Sequence, residues 1–542
     1  MLKTLKKYPI LFLSLFVAIM LLPNLDTLQV TIMEARNFIT AREMLENDNW
    51  ILTTMNGEAR YQKPPLPTWL SAMSTMVFGI KSVFGMRLPA VFMVMVVGSF
   101  MFYLSRSILK SRTHSMVNAL IVITSFYVIG ITIEAPWDIF AHGFMLIAIY
   151  NLNKLFKKAD SNWKATLHAG FFIGLSILCK GPVSIYALLL PFLLAYGLTF
   201  KYKYVKSKGL TILSIMASAL IIGGWWYLYV RLQDPETFKA ITSKEAGNWT
   251  SYNVRPFYYY WSFFTQSGLW TIPAFVSLLY PYLKTRVSNY KAYKFSFLWT
   301  VLAVVLLSII PEKKSRYLMP VLIPLAFNIG FYIEYLFRRF KTLKDKRETI
   351  PVYFNFGLIA LIGIAFPLVS FFILKVDLQN IWFITTSLIF PSIGIFILIQ
   401  LKQKNIKKVF LSTVFFFAFV FIFGLPLAKT LKSEGYKSIS SLKEENELRG
   451  LKLYAFNYIA PETIWDYGDI ITQIPIKDKA HVFPTEREFG ILVNAMSSEN
   501  EALLREKYSV KEVTTYDLNQ AEKGTKQYNK RLFSTYYILT KK

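Results

Sequence analysis

The stretch VFGMRLPAVFMVMVVGSFMFYLSRSILKSR (83–112) is apolar over most of its length and then turns basic at Arg106, Lys110 and Arg112. About twenty apolar residues in a row match the thickness of a bilayer's hydrocarbon core. Basic residues just past such a run mark its cytoplasmic end. Working outward from 83–105, the same reading places further spans near 8–24, 115–133, 137–153, 165–179, 182–200, 209–230, 257–281, 293–311, 317–337, 352–375, 380–401 and 408–428, thirteen in all. Every second loop is basic: Lys154/Lys157/Lys158/Lys164, Lys201/Lys203/Lys206/Lys208, Lys284/Arg286/Lys291/Lys294, the cluster from Arg338 to Arg347, and Lys402/Lys404/Lys407/Lys408. The alternation sets an orientation with the N-terminus inside, because adding or losing one span would break its phase.

Composition agrees. Of 542 residues, 54% are hydrophobic and 17% aromatic, with a mean hydropathy of +0.38, too apolar for a soluble protein of this length. The net charge of +28 sits in short loops rather than on one amphipathic domain, which excludes nucleic acid as the partner and leaves the bilayer. Cys179 is the single cysteine, so no internal disulfide can form. The first apolar run follows Lys3, Lys6 and Lys7 but lacks a small-residue cleavage site, and reads as a retained helix.

The expected organisation is therefore an α-helical polytopic membrane domain over 1–428 and a small α/β extracytoplasmic domain over 429–542. The latter alternates strand-like runs (LKLYAFNY, SVKEVTTYDL, STYYILT) with a helix-like one (NEALLREKY). Outer loops are expected at 25–82, 231–256 and 311–317. In the first of these, residues 31–47 have helical spacing, with Glu34, Phe38, Ala41 and Leu45 on one face. This predicts a surface helix lying along the membrane, with Glu34 as one acid on an apolar stripe. A carboxylate there needs a partner, such as Arg36, Arg42 or Lys63, or a task. Farther on, Lys63 precedes Pro64, Pro65 and Pro67, whose fixed backbone makes a stiff corner able either to hold an anion or simply to end a helix.

The segment MEARNFITAREMLENDNWILTTMNGEARYQKPPLPTWLSAMSTMVFGIKSVFGMRLPA (33–90), with CKGP (179–182) and PEKKSRYLMPVLIP (311–324), resembles the bacterial membrane glycosyltransferases that use polyprenyl-phosphate sugars. These are the GT-C type relatives of protein O-mannosyltransferases and of the lipid A aminoarabinose transferase. The resemblance implies an inverting transfer on the outer face of the bacterial cytoplasmic membrane. The polyprenyl-phosphate sugar is the donor, and a lipid, glycan or protein hydroxyl is the acceptor. Such a reaction needs a carboxylate to take the hydroxyl proton and cations to meet the leaving phosphate. By resemblance the cations are Lys63, Lys313, Lys314, Arg316 and Arg36, and the candidate bases are Glu34, Asp138 and Glu134.

The pattern departs from the family at two places. Met33 stands where the family's first motif has an aspartate, leaving Glu34 to carry the role or another acid to move in. The family's second acid matches Ala135, flanked by Glu134 and Asp138, whose alternative role is pairing with Lys180 or Arg255. A zinc site as in some relatives would need an acid and a histidine where this chain has Gln62 and Glu245, so no metal or other cofactor is expected. An oxygen-ligated divalent ion is left open without residues that point to it. Two readings from other classes stay beside the enzyme: a non-catalytic binder of lipid-linked sugar, favoured by Met33, and a glycolipid transporter, disfavoured by the lack of internal symmetry.

Overall fold

The computed structural model describes residues 7–134, 136–157, 162–204, 206–429, 433–477 and 480–542. It divides into two compact units. One comprises residues 1–27, 61–70 and 87–427, the other 28–60, 71–86 and 428–542.

The first unit is a helical membrane domain. Among the described residues eight helices are long and apolar enough to cross a bilayer: Val83–Leu109, Trp137–Lys157, Gly209–Gln233, Tyr290–Ile309, Ser315–Arg339, Lys346–Phe372, Ile381–Lys402 and Ile406–Ala428. Each answers to one of the thirteen expected spans. The other five are altered. Pro9–Leu21 and Ile185–Phe200 are shorter apolar helices. Trp163–Lys180 is a full helix of lower hydropathy with a lysine near each end. The expected 115–133 span is two helices, Arg112–Ile123 and Phe126–Glu134. At the break, the Thr124 and Ser125 hydroxyls donate back to the carbonyls of Leu120 (2.6 Å) and Ile121 (2.8 Å), a local alternative to the helix ladder. The expected 257–281 span is not a continuous helix. Short turns at Phe257–Tyr260 and Phe263–Trp270 precede a helix over Thr271–Leu278. Gly268 sits at φ +65°, and a Cβ there would meet Phe126 at 2.6 Å.

Small residues let the helices approach closely. A Cβ on Gly174 would fall 2.6 Å from Ile222, and one on Gly223 would fall 2.6 Å from Ile177. The helices Trp163–Lys180 and Gly209–Gln233 therefore meet backbone to backbone. Buried polar groups add hydrogen bonds between helices. Asn328 donates to the Ser277 carbonyl (2.9 Å) and accepts from the Ser296 hydroxyl (3.0 Å).

The second unit is α/β. Its hairpin pairs β1 (Thr54–Met55) with β2 (Glu58–Ala59). Its main sheet contains β3 (Leu453–Ala455), β4 (Thr472–Gln473), β7 (Glu488–Val493), β8 (Tyr508–Asp517) and β9 (Phe533–Lys541), in the order β4-β3-β7-β9-β8. A separate pair, β5 (Ile476–Lys477) and β6 (Ala480–His481), lies beside it in sequence. β3 runs parallel to β4 and β7, and β9 runs antiparallel to β7 and β8. The strand-like runs and the helix Ser498–Lys507 fall where the sequence placed them.

The helix Ile32–Asn47 is not a surface helix, as its spacing suggested. It is buried on several sides within this unit. Phe38 meets Trp465 edge-on at 5.2 Å, and Ile39 joins a core with Ile439, Ile464, Leu492 and Tyr536. Its polar residues are sequestered too. The Glu43 carboxylate accepts from the Thr54 hydroxyl and the Asn56 amide, each at 2.6 Å, fixing the Asn56-Gly57 turn between β1 and β2. Beside it, burial holds the Arg42 guanidinium below the ordinary arginine range, with Glu46 and Glu43 acting against that shift. Polar residues on such a helix look solvent-facing in sequence because their partners lie within the hairpin and far along the chain.

Candidate active site

One end of the membrane unit gathers most of the charged candidates. Asp138 lies in the first turn of the helix Pro136–Lys157 and is buried. Lys180, the last residue of the neighbouring helix Trp163–Lys180, forms an ion pair with it. His142, one turn on, places Nε2 3.7 Å from the same carboxylate, while its Nδ1 meets the Ser184 hydroxyl at 2.9 Å. Lys180 also stands over the Tyr317 ring, 5.3 Å from its centroid.

Tyr317 links this pair to the loop 311–317. Its hydroxyl donates to Glu312 at 3.0 Å, and Glu312 pairs with Lys314 at 2.5 Å. The Lys314 ammonium also lies 4.7 Å from the Tyr252 ring centroid and 5.5 Å from that of Tyr317. Arg316 flanks the Tyr317 ring at 5.9 Å. A chain of alternating charge and aromatic rings thus runs from Asp138 to Lys314.

Lys313 does not belong with these cations. It is buried, and its ammonium donates to the carbonyls of Ile310 (2.7 Å) and Arg255 (3.0 Å). Burial holds it below the ordinary lysine range. The reason is backbone geometry. Lys313 donates its amide to the Asn253 carbonyl (3.1 Å), beside a bridge between Val254 and Glu312. Lys314 is extended (φ −138°, ψ 145°), and neighbouring side chains on extended backbone point opposite ways. Lys313 is therefore buried against carbonyls, whereas the Lys314 ammonium turns to Glu312 and the Tyr252 and Tyr317 rings.

Lys63 pairs with Glu245 at 4.0 Å, with side chains 33% and 40% exposed. A pair this open is worth about 0–1 kcal/mol. The corner is held beside it by Tyr61, whose hydroxyl donates to Asp234 at 3.1 Å. Burial, and then Asp234, push that phenol up to about 12. Asp234 caps the helix Pro235–Ser251, which carries Glu245 and ends at Tyr252. At 1.5 Å per residue, Glu245 lies roughly 10 Å along the helix from Tyr252. Glu245, where some relatives would need a histidine for zinc, faces the Lys63 ammonium.

Glu34 and Arg36 belong to the second unit. Glu34 is fully buried and occupies the third position of its helix. Its Oε2 accepts from the Thr31 amide at 3.0 Å, and the Thr31 hydroxyl accepts from the Glu34 amide at 3.4 Å. This is a capping box, a structural use for the carboxylate. The Arg36 side chain is half-buried, and its carbonyl accepts from Arg60. Burial, and behind it the charge of Arg36, hold the Arg60 guanidinium below the ordinary arginine range. Glu134 ends the helix Phe126–Glu134, but its side chain, like Ala135, lies outside the described residues. Glu312, Tyr317 and Tyr252 escaped the sequence reading. The signal for them was aromatic residues interleaved with the cations of PEKKSRY and beside SYNVR.

Residues 62–225 match the family of dolichyl-phosphate-mannose-protein mannosyltransferases. An uncharacterised protein of Aquifex aeolicus is 26% identical over 447 residues, covering 78% of this chain and 80% of that one. Undecaprenyl phosphate-alpha-4-amino-4-deoxy-L-arabinose arabinosyl transferase 1 of Proteus mirabilis is 25% identical over 347 residues, which span 62% of this chain and 61% of that protein. The crystal structure of ArnT from Cupriavidus metallidurans bound to undecaprenyl phosphate shares the fold, with a TM-score of 0.69 at 14% identity over 98% of both chains. The family match over 62–225, the named relatives and the shared fold all make the chain similar to membrane glycosyltransferases named for lipid-phosphate-linked sugars.

Proposed function

We propose that the chain transfers a sugar, with inversion, from a polyprenyl-phosphate donor to a hydroxyl of a lipid, glycan or protein. The observation that carries the reading is the charged and aromatic chain from Asp138 through Lys180, Tyr317 and Glu312 to Lys314. It sets carboxylates and cations side by side at one end of a membrane domain, as this chemistry needs. Lys314, Arg316 and Lys63 meet the charge that builds on the departing phosphate. Asp138 takes the acceptor's proton, with His142 and Lys180 fixing its orientation. No acid is needed for the leaving group, since a phosphate departs as an anion. Glu34 is the second candidate base, already committed to its capping box.

The donor sugar is a hexose or a pentose. The matched family is named for mannose and the named relatives for an aminoarabinose, so a donor panel presented to the purified full chain tests the reading and must include both.

The site faces the outside of the bacterial cytoplasmic membrane in this proposal, with the N-terminus inside and residues 429–542 outside. The basic loops support that orientation. Ser440 is exposed, and Cys179 is buried. A Ser440→Cys variant in intact cells with a permeabilised outer layer should react with an impermeant thiol reagent. Reaction only after the cytoplasmic membrane is lysed would reverse the orientation.

A further inference from the structure

The run SYNVRPFYYYWSFF (251–264) gives the candidate site only the Tyr252 ring beside Lys314, yet it is the most aromatic stretch of the chain. Tyr252, Phe257, Tyr258 and Trp261 are 53%, 59%, 70% and 71% exposed. Bulk water is a poor place for so much apolar surface in so few residues. The hydrocarbon core is equally poor, because the backbone here is not a continuous helix but short turns at Phe257–Tyr260 and Phe263–Trp270. Lipid-exposed irregular backbone is not sustained in hydrocarbon, where polar groups of the chain find no water. One environment satisfies both constraints: the headgroup layer, where water reaches the backbone and tyrosine and tryptophan rings are favoured. Arg255, exposed in the same run, is suited to anionic phospholipid headgroups.

The run is also fastened to the loop 311–317. The Arg255 amide donates to the Pro311 carbonyl at 3.1 Å, and Val254 bridges Glu312. Tyr260 is buried among Ala187, Ala303, Leu307 and Leu318, and its hydroxyl donates to the Lys314 carbonyl at 3.1 Å.

We propose that residues 252–264 are a membrane-interface anchor, with Tyr252, Phe257, Tyr258 and Trp261 seated among phospholipid headgroups, and that their fastening to 311–314 sets the depth of that loop. The proposal rests on the chain's spanning a membrane and on this backbone, not on the transfer reaction.

Depth measurement tests it. The full chain, carrying Cys179→Ala and one of Tyr258→Cys, Trp261→Cys or Ser315→Cys, is spin-labelled and placed in phosphatidylcholine–phosphatidylglycerol vesicles. Relative collision with oxygen and with a water-soluble nickel chelate reports depth. Leu361→Cys, an exposed position inside the helix Lys346–Phe372, and Leu448→Cys, an exposed position in the α/β unit, give the deep and aqueous references. Labels at 258, 261 and 315 should fall between the references, within roughly 5–10 Å of the headgroup–acyl boundary. Labels at 258 and 261 that match either reference overturn the anchor, and a label at 315 that differs from them overturns the coupling of the loop. Should a labelled variant fail to insert, the fluorescence that wild type loses on Trp261→Phe replaces it. Lipids brominated near the headgroup should quench that component more than lipids brominated near the chain ends, and the reverse order, or no quenching, also overturns the anchor.

Discussion

Asp138→Asn should abolish sugar transfer while the chain still binds its lipid-linked donor. Loss of a positioned general base costs about 10²–10⁴ in rate. The substitution leaves in place the cations proposed to meet the donor phosphate. The same change removes the counter-charge of Lys180, which is nearly buried in the ion pair, and stranding a buried charge costs about 3–5 kcal/mol. A fall in thermal midpoint is therefore expected alongside the loss of activity and must be separated from it. In the double variant Asp138→Asn/Lys180→Met the buried pair is gone altogether, which is often near neutral for stability. It should recover the midpoint without recovering transfer. Recovery of both would make the pair structural. Glu34→Gln is the matching control. Glutamine can serve at the third position of a capping box, so the helix Ile32–Asn47 should survive. If that variant loses transfer with an unchanged midpoint while Asp138→Asn keeps it, the base is Glu34.

Lys63→Ala and Lys314→Ala should each lower turnover by about 10²–10³, the usual consequence of removing one donor aimed at developing negative charge. Both ammoniums are at present paired with carboxylates, Lys63 with Glu245 and Lys314 with Glu312. Lys313→Ala is expected to behave differently. Its ammonium ties together the carbonyls of Ile310 and Arg255, so its loss should lower the thermal midpoint and loosen the loop. Steady-state transfer and thermal unfolding, measured on the three variants side by side, check the distinction. Equal midpoints with near-normal transfer for Lys63→Ala would reduce the proline corner to a helix stop.

Much of the membrane domain was legible because its signal is local. A run of apolar residues closed by lysines declares a span whatever surrounds it, and the α/β character of the C-terminal region showed in strand-length alternation. Breaks within spans were harder to see. Nothing in the apolarity of 257–281 announces turns at Phe257–Tyr260 and Phe263–Trp270, because the cause includes the close approach of Gly268 to Phe126, a contact between distant segments. The burial of the helix that carries Glu34 was hidden for a similar reason. That helix is buried by residues more than four hundred positions away, among them Trp465 and Tyr536. The lysine pair in PEKKSR was read as one basic patch, whereas an extended backbone turns Lys313 to buried carbonyls and Lys314 to Glu312. Asp138 and Lys180 were legible as a pair because each closes or opens a helix at the same end of the domain, where charges in a membrane protein collect.

The most direct test of the account is release of free polyprenyl phosphate by the purified full chain, followed by mass spectrometry. The donors are a panel of polyprenyl-phosphate hexoses and pentoses, and the acceptors are an extract of envelope lipids, glycans and proteins. The account predicts that one donor class yields polyprenyl phosphate together with a glycosylated acceptor of inverted anomeric configuration, and that Asp138→Asn yields neither. Tight donor binding without release, for every donor and acceptor fraction, would contradict it and leave a binder of lipid-linked sugar in place of an enzyme.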